Sequence, residues 1–306
     1  MARYITQRLI QAVGVIIGVS MLVFVLVRVI PGDPARIMLS ESASDEQVSQ
    51  MRHILGLDQP LPVQYVVFVR QALAGDLGTS LFYGEPTLKV VADHLPATLL
   101  LGATSLVLAL VIAVPVGVLS AVRRDSVWDF AGMGLAIVGQ SVPAFWLGLM
   151  LVLVFSVFLG WLPSSGFGSP LHLVLPSVTL GAFICALSTR LIRSGLLEVL
   201  HEDYVRTARA KGLTERAVLS RHALRNTLIP LVTILGLQLG SLLGGAVITE
   251  TVFAWPGVGT LIFTAINARD YPLIQASVLL LSLVFVLINL GVDLVYAYLD
   301  PRIHYG

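Results

Sequence analysis

Long apolar stretches with almost no charged residues constrain this sequence most strongly. A helix needs about 20 mostly apolar residues to cross the hydrocarbon core of a bilayer. Six stretches approach or exceed that length, at residues 9–30, 97–122, 132–159, 171–191, 228–250 and 277–299. Only 12% of the 306 residues are charged, which is too few for a water-exposed surface. The sequence therefore predicts an all-α, polytopic membrane protein with six transmembrane helices.

Lysine and arginine residues divide unequally between the two sides that six spans would define. Thirteen of the 19 fall on the side that holds both termini, and six fall on the other. Basic residues in short loops favour the cytoplasmic side, so both termini are predicted to be cytoplasmic. The 19 basic and 18 acidic residues nearly balance, which gives no basic excess that would attract nucleic acid.

These spans divide the chain into three parts. Residues 1–30 form the N-terminus and first transmembrane helix, because the stretch is longer than the apolar core of a signal peptide. Residues 31–96 form an extracytoplasmic segment, with a helix-like acidic patch and a Gly-Asp-Leu-Gly turn at 75–78. Residues 97–306 form a five-helix permease core, which includes a cytoplasmic loop at 194–227. The fourth span contains Pro176, so a full crossing and a broken helix both stay open there.

The cytoplasmic loop carries a segment suited to docking. Tyr204, Ala208, Lys211 and Gly212 share one face at helical spacing. Gly212 also provides a helix stop. Thr214 follows as a weak N-cap of a second short helix. The alternative is a solvated basic loop that only obeys the positive-inside rule.

Residues 203–212, which read DYVRTARAKG, and residues 222–226, which read HALRN, resemble the coupling loop of dipeptide and oligopeptide permeases of ATP-binding-cassette importers. In the general importer pattern a Glu stands where this chain has Arg206, and the later proline comes earlier than Pro230. Similar family blocks recur in order along nearly the whole chain, at residues 31–34, 75–78, 142–146, 250–257, 269–272 and 300–302. The long segment after the first helix is similar to the B-type permease of such pairs.

This resemblance implies a type I importer permease fold and a set of partners. The partners would be a homologous second permease, two ATP-binding-cassette ATPases, an extracytoplasmic substrate-binding protein and membrane lipid. ATP and Mg²⁺ would bind to the ATPases, because this chain has no Gly-x-x-x-x-Gly-Lys-Ser/Thr loop. We expect no cofactor, metal site or catalytic residue in this chain. The expected ATPase-coupling residues are Tyr204, Val205, Arg206, Thr207, Ala208, Arg209, Ala210, Lys211, Gly212 and Leu213.

Two further groups of residues are candidates for transport roles, and each group also has a structural explanation. Polar residues at membrane depth could line a translocation path or hydrogen-bond between helices; they are Gln140, Ser141, Gln238, Ser241 and Asn289. Residues of the turn after the fifth span could form a gate or a binding-protein contact, or anchor the chain at the bilayer interface; they are Phe253, Trp255, Pro256 and Gly257.

Short peptides are the substrates that the resemblance favours. The same permease branch is similar to systems for nickel, glutathione, oligosaccharides and haem, so these stay as alternatives. A secondary transporter or channel is disfavoured because no inverted repeat is evident. A membrane enzyme is disfavoured because no clustered nucleophile signature is seen.

Overall fold

The regular elements of the chain are helices, as described by a computed structural model over residues 2–29, 36, 39, 44–54 and 56–299. This confirms the all-α prediction. In chain order the helices are α1 (Ala2–Val29), α2 (Asp45–Ile54), α3 (Leu61–Leu73), α4 (Thr87–Val122), α5 (Val127–Ser141), α6 (Ala144–Leu151), α7 (Leu171–Val199), α8 (Asp203–Ala210), α9 (Glu215–Ala217), α10 (Leu224–Val252), α11 (Val258–Asn267) and α12 (Tyr271–Leu299). Two π-helical stretches, Val152–Phe158 and Val218–Ala223, continue α6 and α9.

The helices belong to two compact units. One unit contains Thr98–Trp255 together with the described residues from Gly291 onwards, and the other contains Ala2–Ala97 and Pro256–Leu290. Both units expose many large apolar side chains, such as Ile10 at 65% and Leu135 at 73%. Apolar surface of this extent fits a lipid environment, since lipid chains replace water around it.

Helix lengths agree with most of the predicted spans. Within the described residues, four helices are long and apolar enough to cross a membrane, and a bent pair would make a fifth. The predicted fifth span, residues 228–250, lies within the 29-residue helix α10, although many of its side chains lie outside the described part. The six-span count and the sides of the termini therefore remain predictions.

The third span is broken, which corrects the prediction of one helix over residues 132–159. Helices α5 and α6 meet at an angle of 112°. Val142, between them, is extended (φ −82°, ψ 128°), and Pro143 begins the next helix. Proline disfavours helical backbone in the residue before it and has no N–H to donate to the preceding turn. The extended Val142 in front of Pro143 is therefore the point at which α5 ends.

The fourth span is continuous, so of the two alternatives left open the unbroken helix is the observed one. Helix α7 runs from Leu171 to Val199 with Pro176 inside it. Twelve of its residues are buried, and close packing of this kind holds a helix together around a proline. Gly181 is the tightest contact, because a Cβ there would lie 2.7 Å from the carbonyl oxygen of Ser105 on α4.

Local signals in the segment that is predicted to be extracytoplasmic give the structures that the sequence predicts. Ser44 and Gln47 form a capping box at the start of α2, in which each side chain bonds the other residue's backbone N–H. Gly75 and Gly78 have positive φ angles of 80° and 85°. Asp76 accepts a hydrogen bond from the Gly78 N–H through Oδ1 at 3.0 Å, which closes the turn.

We predict that Gly181→Ala destabilises the protein. The added methyl group would press on backbone that cannot rotate away, and overpacking of this kind costs about 1–3 kcal/mol. Gly134→Ala on α5 is the matched control, because a Cβ there meets nothing within 4 Å. Thermal unfolding of both variants in one detergent measures the difference. Equal melting temperatures for the two variants would contradict the close α4–α7 packing.

Candidate coupling surface and transport cavity

Helix α8 and the turn after it have well-defined ends. The residue before the helix, Glu202, is extended (φ −69°, ψ 146°). At the other end, Gly212 has φ +78°. Its N–H donates to the Arg209 carbonyl at 2.9 Å, and the Leu213 N–H donates to the Ala208 carbonyl at 3.4 Å. These two bonds form a Schellman motif, in which glycine supplies the left-handed residue. The predicted helix stop at Gly212 is confirmed.

One face of α8 is buried and fixes the helix to the rest of its unit. Val205 and Val218 are fully buried and Ala208 is 5% exposed, and the three form one cluster with Val199 and Leu200 packed against it. Burying a valine side chain stabilises a fold by about 1.5–3 kcal/mol, so this small cluster is enough to position one short helix. The prediction that Ala208 lies on the docking face is wrong, because its side chain faces this cluster.

Exposed residues of α8 and of the turn after it combine apolar with basic groups. Tyr204 is 39% exposed and Leu213, after the Gly212 turn, is 42% exposed. Thr207 and Lys211 share a side with Tyr204 at helical spacing and are also exposed. We call Tyr204, Thr207, Lys211 and Leu213 the outer face of α8. It offers two large apolar side chains and one cation to a partner.

Two ion pairs flank the outer face. Arg206 bonds Asp203 at 3.5 Å, and Arg209 bonds Glu215 through Nε at 2.8 Å and Nη2 at 3.4 Å. The second pair joins α8 to α9 across the Gly212 turn. Exposed pairs contribute at most about 1 kcal/mol, so they orient the segment rather than hold it. Ala210, directly after Arg209, is exposed.

The segment after Gly212 begins as the sequence predicts and ends differently. Thr214 Oγ1 accepts a hydrogen bond from the Ala217 N–H at 3.4 Å, which confirms the N-cap. The sequence predicts a second, separate short helix after Thr214. Instead, helical backbone continues from Glu215 through the π-helical stretch into α10, because no residue between them breaks the hydrogen-bond ladder.

A cavity of about 350 Å³ lies beside the break in the third span. It is lined by residues of α5, α6, α7 and α10, and by Val142 at the break; these include Gly139, Thr179, Phe183, Gln238 and Gly245. The lining is apolar except for a few groups such as Gln238 and Thr179. The sequence analysis named Gln238 and did not name the other lining residues. The Val142-Pro143 pair could have indicated the helix break beside which they lie.

The other predicted path residues are not gathered around this cavity. Gln140 accepts a hydrogen bond from Arg190 Nη1 at 2.5 Å, and Ser141 is exposed at the end of α5. Asn289 belongs to the other unit and donates to the Phe285 carbonyl of its own helix at 3.0 Å. The Ser241 side chain lies outside the described residues. Gln238 is thus the one member of the predicted group that the structure places in the cavity lining.

The aromatic residues after α10 are buried, not displayed. Phe253 and Trp255 are each 1% exposed, and the Phe167 ring meets Trp255 edge-on at 4.9 Å between centroids. The Gly166 N–H donates to the Phe253 carbonyl at 2.9 Å. The interface-anchoring alternative is therefore wrong for these two rings. Contact with a binding protein through this turn stays a prediction.

The next two residues of this turn belong to the other unit. Pro256 is half-buried, and Gly257 is buried and precedes the first residue of α11. Gly257 has extended backbone there (φ −101°, ψ 179°), so its observed place is at a helix start. Among the residues that the structure describes, no group of three or more His, Cys, Asp or Glu residues is placed to hold a metal ion.

Apolar spans beside a cavity, together with a short exposed helix, are features of a membrane transport subunit. Two family models cover almost the whole chain. The family described as binding-protein-dependent transport system inner membrane component matches residues 113–305, and the model for the N-terminal part of such membrane components matches residues 1–102. The chain belongs to this family of permease subunits of ATP-binding-cassette importers, and it is a multi-pass protein of the bacterial inner membrane.

Relatives of the same length support this assignment. The glutathione transport system permease protein GsiC of Salmonella choleraesuis is 46% identical over 305 residues, with 100% of both chains covered. The dipeptide transport system permease protein DppB of Alkalihalophilus pseudofirmus is 41% identical over 333 residues, again with 100% of both covered. The chain is similar to permeases of peptide-type transporters.

Solved structures confirm the fold. An inward-facing structure of the MetNI methionine ABC transporter has a chain that matches with a TM-score of 0.55 and 21% identity, covering 70% of this chain and 97% of that one. A second inward-facing form of the same transporter matches with a TM-score of 0.57 and 23% identity, covering 69% of this chain and 96% of that one. The type I importer permease fold expected from the sequence is therefore confirmed.

We predict that Gly212→Val loosens the end of α8 whereas Gly212→Asn does not. A Cβ at this position meets nothing within 4 Å, so any effect must come from the positive φ. A left-handed conformation costs an ordinary residue about 1–2 kcal/mol, and asparagine tolerates it better. Hydrogen exchange of the amides of residues 208–213 measures the effect. Equal protection in both variants would contradict the Schellman geometry.

Proposed function

We propose that this chain is one permease subunit of an ATP-driven importer of short peptides, glutathione included. The observation that carries the proposal is the full-length similarity to permeases named for glutathione and for dipeptides. Glutathione is itself a tripeptide, so the two names share one chemical class. The assembled importer would also contain a homologous permease, two ATPases and an external binding protein, and ATP and Mg²⁺ would bind to the ATPases.

The outer face of α8 is the surface that we assign to the ATPase. Its buried side is already fixed by Val205, Ala208 and Val218, so a force applied to the exposed side passes into the permease instead of deforming the helix. An amphipathic helix laid in a groove is a common mode of recognition. Tyr204 and Leu213 would fill that groove, and Lys211 would pair with an acidic group at its edge.

The cavity beside the broken span is the place that we assign to passing substrate. Its lining carries amide and hydroxyl groups, Gln238 and Thr179, but no charged residue among those described. Such a lining can hydrogen-bond a peptide weakly without holding it, which suits transport. Substrate selection would then lie mainly in the external binding protein.

We predict that Leu213→Asp uncouples ATP hydrolysis from transport. Placing a carboxylate in an apolar groove costs several kcal/mol of docking energy, whereas the permease fold is spared because Leu213 is exposed. Ser220→Asp is the control, since Ser220 is exposed and lies outside the outer face. Uptake and substrate-stimulated ATP hydrolysis in proteoliposomes are the measurements. Wild-type uptake in the Leu213→Asp complex would contradict the assignment.

We predict that the importer's binding protein binds dialanine and glutathione, and that both enter proteoliposomes carrying the complete complex. Calorimetric titration and uptake of the labelled compounds measure the two steps. Nickel ions, maltotriose and haem serve as competitors, because each represents a different cargo class. Binding and uptake of a competitor, with no uptake of either peptide, would refute the peptide assignment while leaving the importer mechanism in place.

A further inference from the structure

An ion pair joins the start of α5 to α7 with little access to solvent. Arg193 donates to Asp129 through Nε at 2.6 Å and through Nη2 at 2.7 Å. The Asp129 side chain is 5% exposed and that of Arg193 is 25% exposed. Two parallel bonds fix the orientation of the partners as well as their separation. Asp129 also accepts from the Asp125 N–H at 3.1 Å, which ties the α4–α5 turn to the same pair.

A second arginine of α7 holds the far end of α5. Arg190 Nη1 donates to Gln140 Oε1. Beside it, Gly139 faces α7, because a Cβ there would be in ordinary van der Waals contact, 3.4 Å from the Ala186 Cβ and 3.5 Å from the Ala182 carbonyl oxygen. Helix α5 is thus attached to α7 by side-chain hydrogen bonds near both of its ends.

The same helix α7 leads directly to the coupling segment. Ile192 and Leu196, on either side of Arg193, belong to a buried cluster that includes Ala223. At the C-terminal end of α7, Val199 and Leu200 pack against the cluster that holds α8. A displacement of α8 therefore acts on α7 through packed side chains.

Helix α5 ends at the broken span and the cavity. Gly139, two residues before the end of α5, and Val142, directly after it, both line the cavity. The extended backbone at Val142 interrupts the helix, so α5 can move relative to α6 without breaking further backbone bonds. Movement of α5 would change the cavity wall directly.

We propose that Asp129 and Arg193, assisted by Gln140 and Arg190, are positioning residues that make α5 follow α7 and α8. Displacement of α8 by the ATPase thereby reaches the wall of the cavity at Val142. This inference rests on the proposed role of α8, and it names the link between that surface and the substrate path. Breaking the link between Asp129 and Arg193 should leave ATP hydrolysis intact, but hydrolysis would then no longer move the cavity wall.

The direct test is a distance between α5 and the α8–α9 segment. Spin labels are placed at Val127→Cys and Arg216→Cys in a Cys185→Ser background, because residues 127 and 216 are both exposed. In the complete wild-type complex we expect the same distance distribution without nucleotide and with ATP and vanadate. In Asp129→Asn we expect the distribution to shift or broaden on trapping. A nucleotide-dependent shift in the wild type, or identical behaviour of Asp129→Asn and wild type, would overturn the proposal.

A matched control lies four residues earlier. Asp125 pairs with Arg124 at 3.3 Å, and their side chains are 74% and 60% exposed. Asp125→Asn makes the same chemical change, and asparagine accommodates the φ of +59° at this position. We expect this variant to behave as wild type. Arg193→Lys keeps the charge but loses the bidentate geometry; we expect an intermediate shift, which keeps the test valid if Asp129→Asn does not assemble.

Coupling efficiency is the functional readout. We expect uptake of dialanine per ATP hydrolysed to fall about fivefold in Asp129→Asn, within the range of measured coupling energies. ATP hydrolysis itself should be retained, which a general loss of stability would not allow. The spin-label measurement requires no substrate. If the wild type imports neither peptide, the proposed substrate class fails, and the distance data still decide whether α5 follows α8.

Discussion

Backbone hydrogen bonding in an apolar environment is the constraint on which this structure depends. Lipid offers no partner for a free N–H or carbonyl group, so a spanning chain must satisfy those groups within helices. Departures from regular helix then stand out, and in the described part of the chain they include the Val142-Pro143 break and the π-helical stretches Val152–Phe158 and Val218–Ala223. The break lies beside the cavity, and the second π-helical stretch follows the segment that contains α8 and α9.

In the proposed function the two faces of α8 have different physical roles. Burial of Val205 and Val218 fixes the helix, whereas Tyr204 and Leu213 are exposed on its outer face. A helix that contacted a partner but was not packed against the rest of the permease would move without displacing the spans. A helix that was only buried would receive no force. In the further proposal, the arginine links from α7 to α5 serve the same purpose, because they join two helices so that one moves with the other.

Sequence reasoning reached the fold class and the helix ends around residues 212–214 because both depend on local signals. Apolar length predicts spans, and Gly212 and Thr214 mark helix ends through the chemistry of single residues. The inward direction of Ala208, the burial of Trp255 and the Asp129–Arg193 pair could not be predicted in this way. Each of these features depends on a contact with a residue that is distant in the sequence. The break in the third span could be predicted in part. Pro143 is a local signal for it, but the apolar length around Pro143 favoured a single helix.

Contact between the outer face of α8 and an ATPase is the central claim, and photo-crosslinking tests it most directly. Benzoylphenylalanine is placed at Tyr204, or at Phe82 in the predicted extracytoplasmic segment, which is 61% exposed, and the purified importer is irradiated. The account predicts that Tyr204 crosslinks to the ATPase subunit and that Phe82 does not. An intact complex in which Tyr204 crosslinks only to lipid, or to a subunit other than the ATPase, would contradict it.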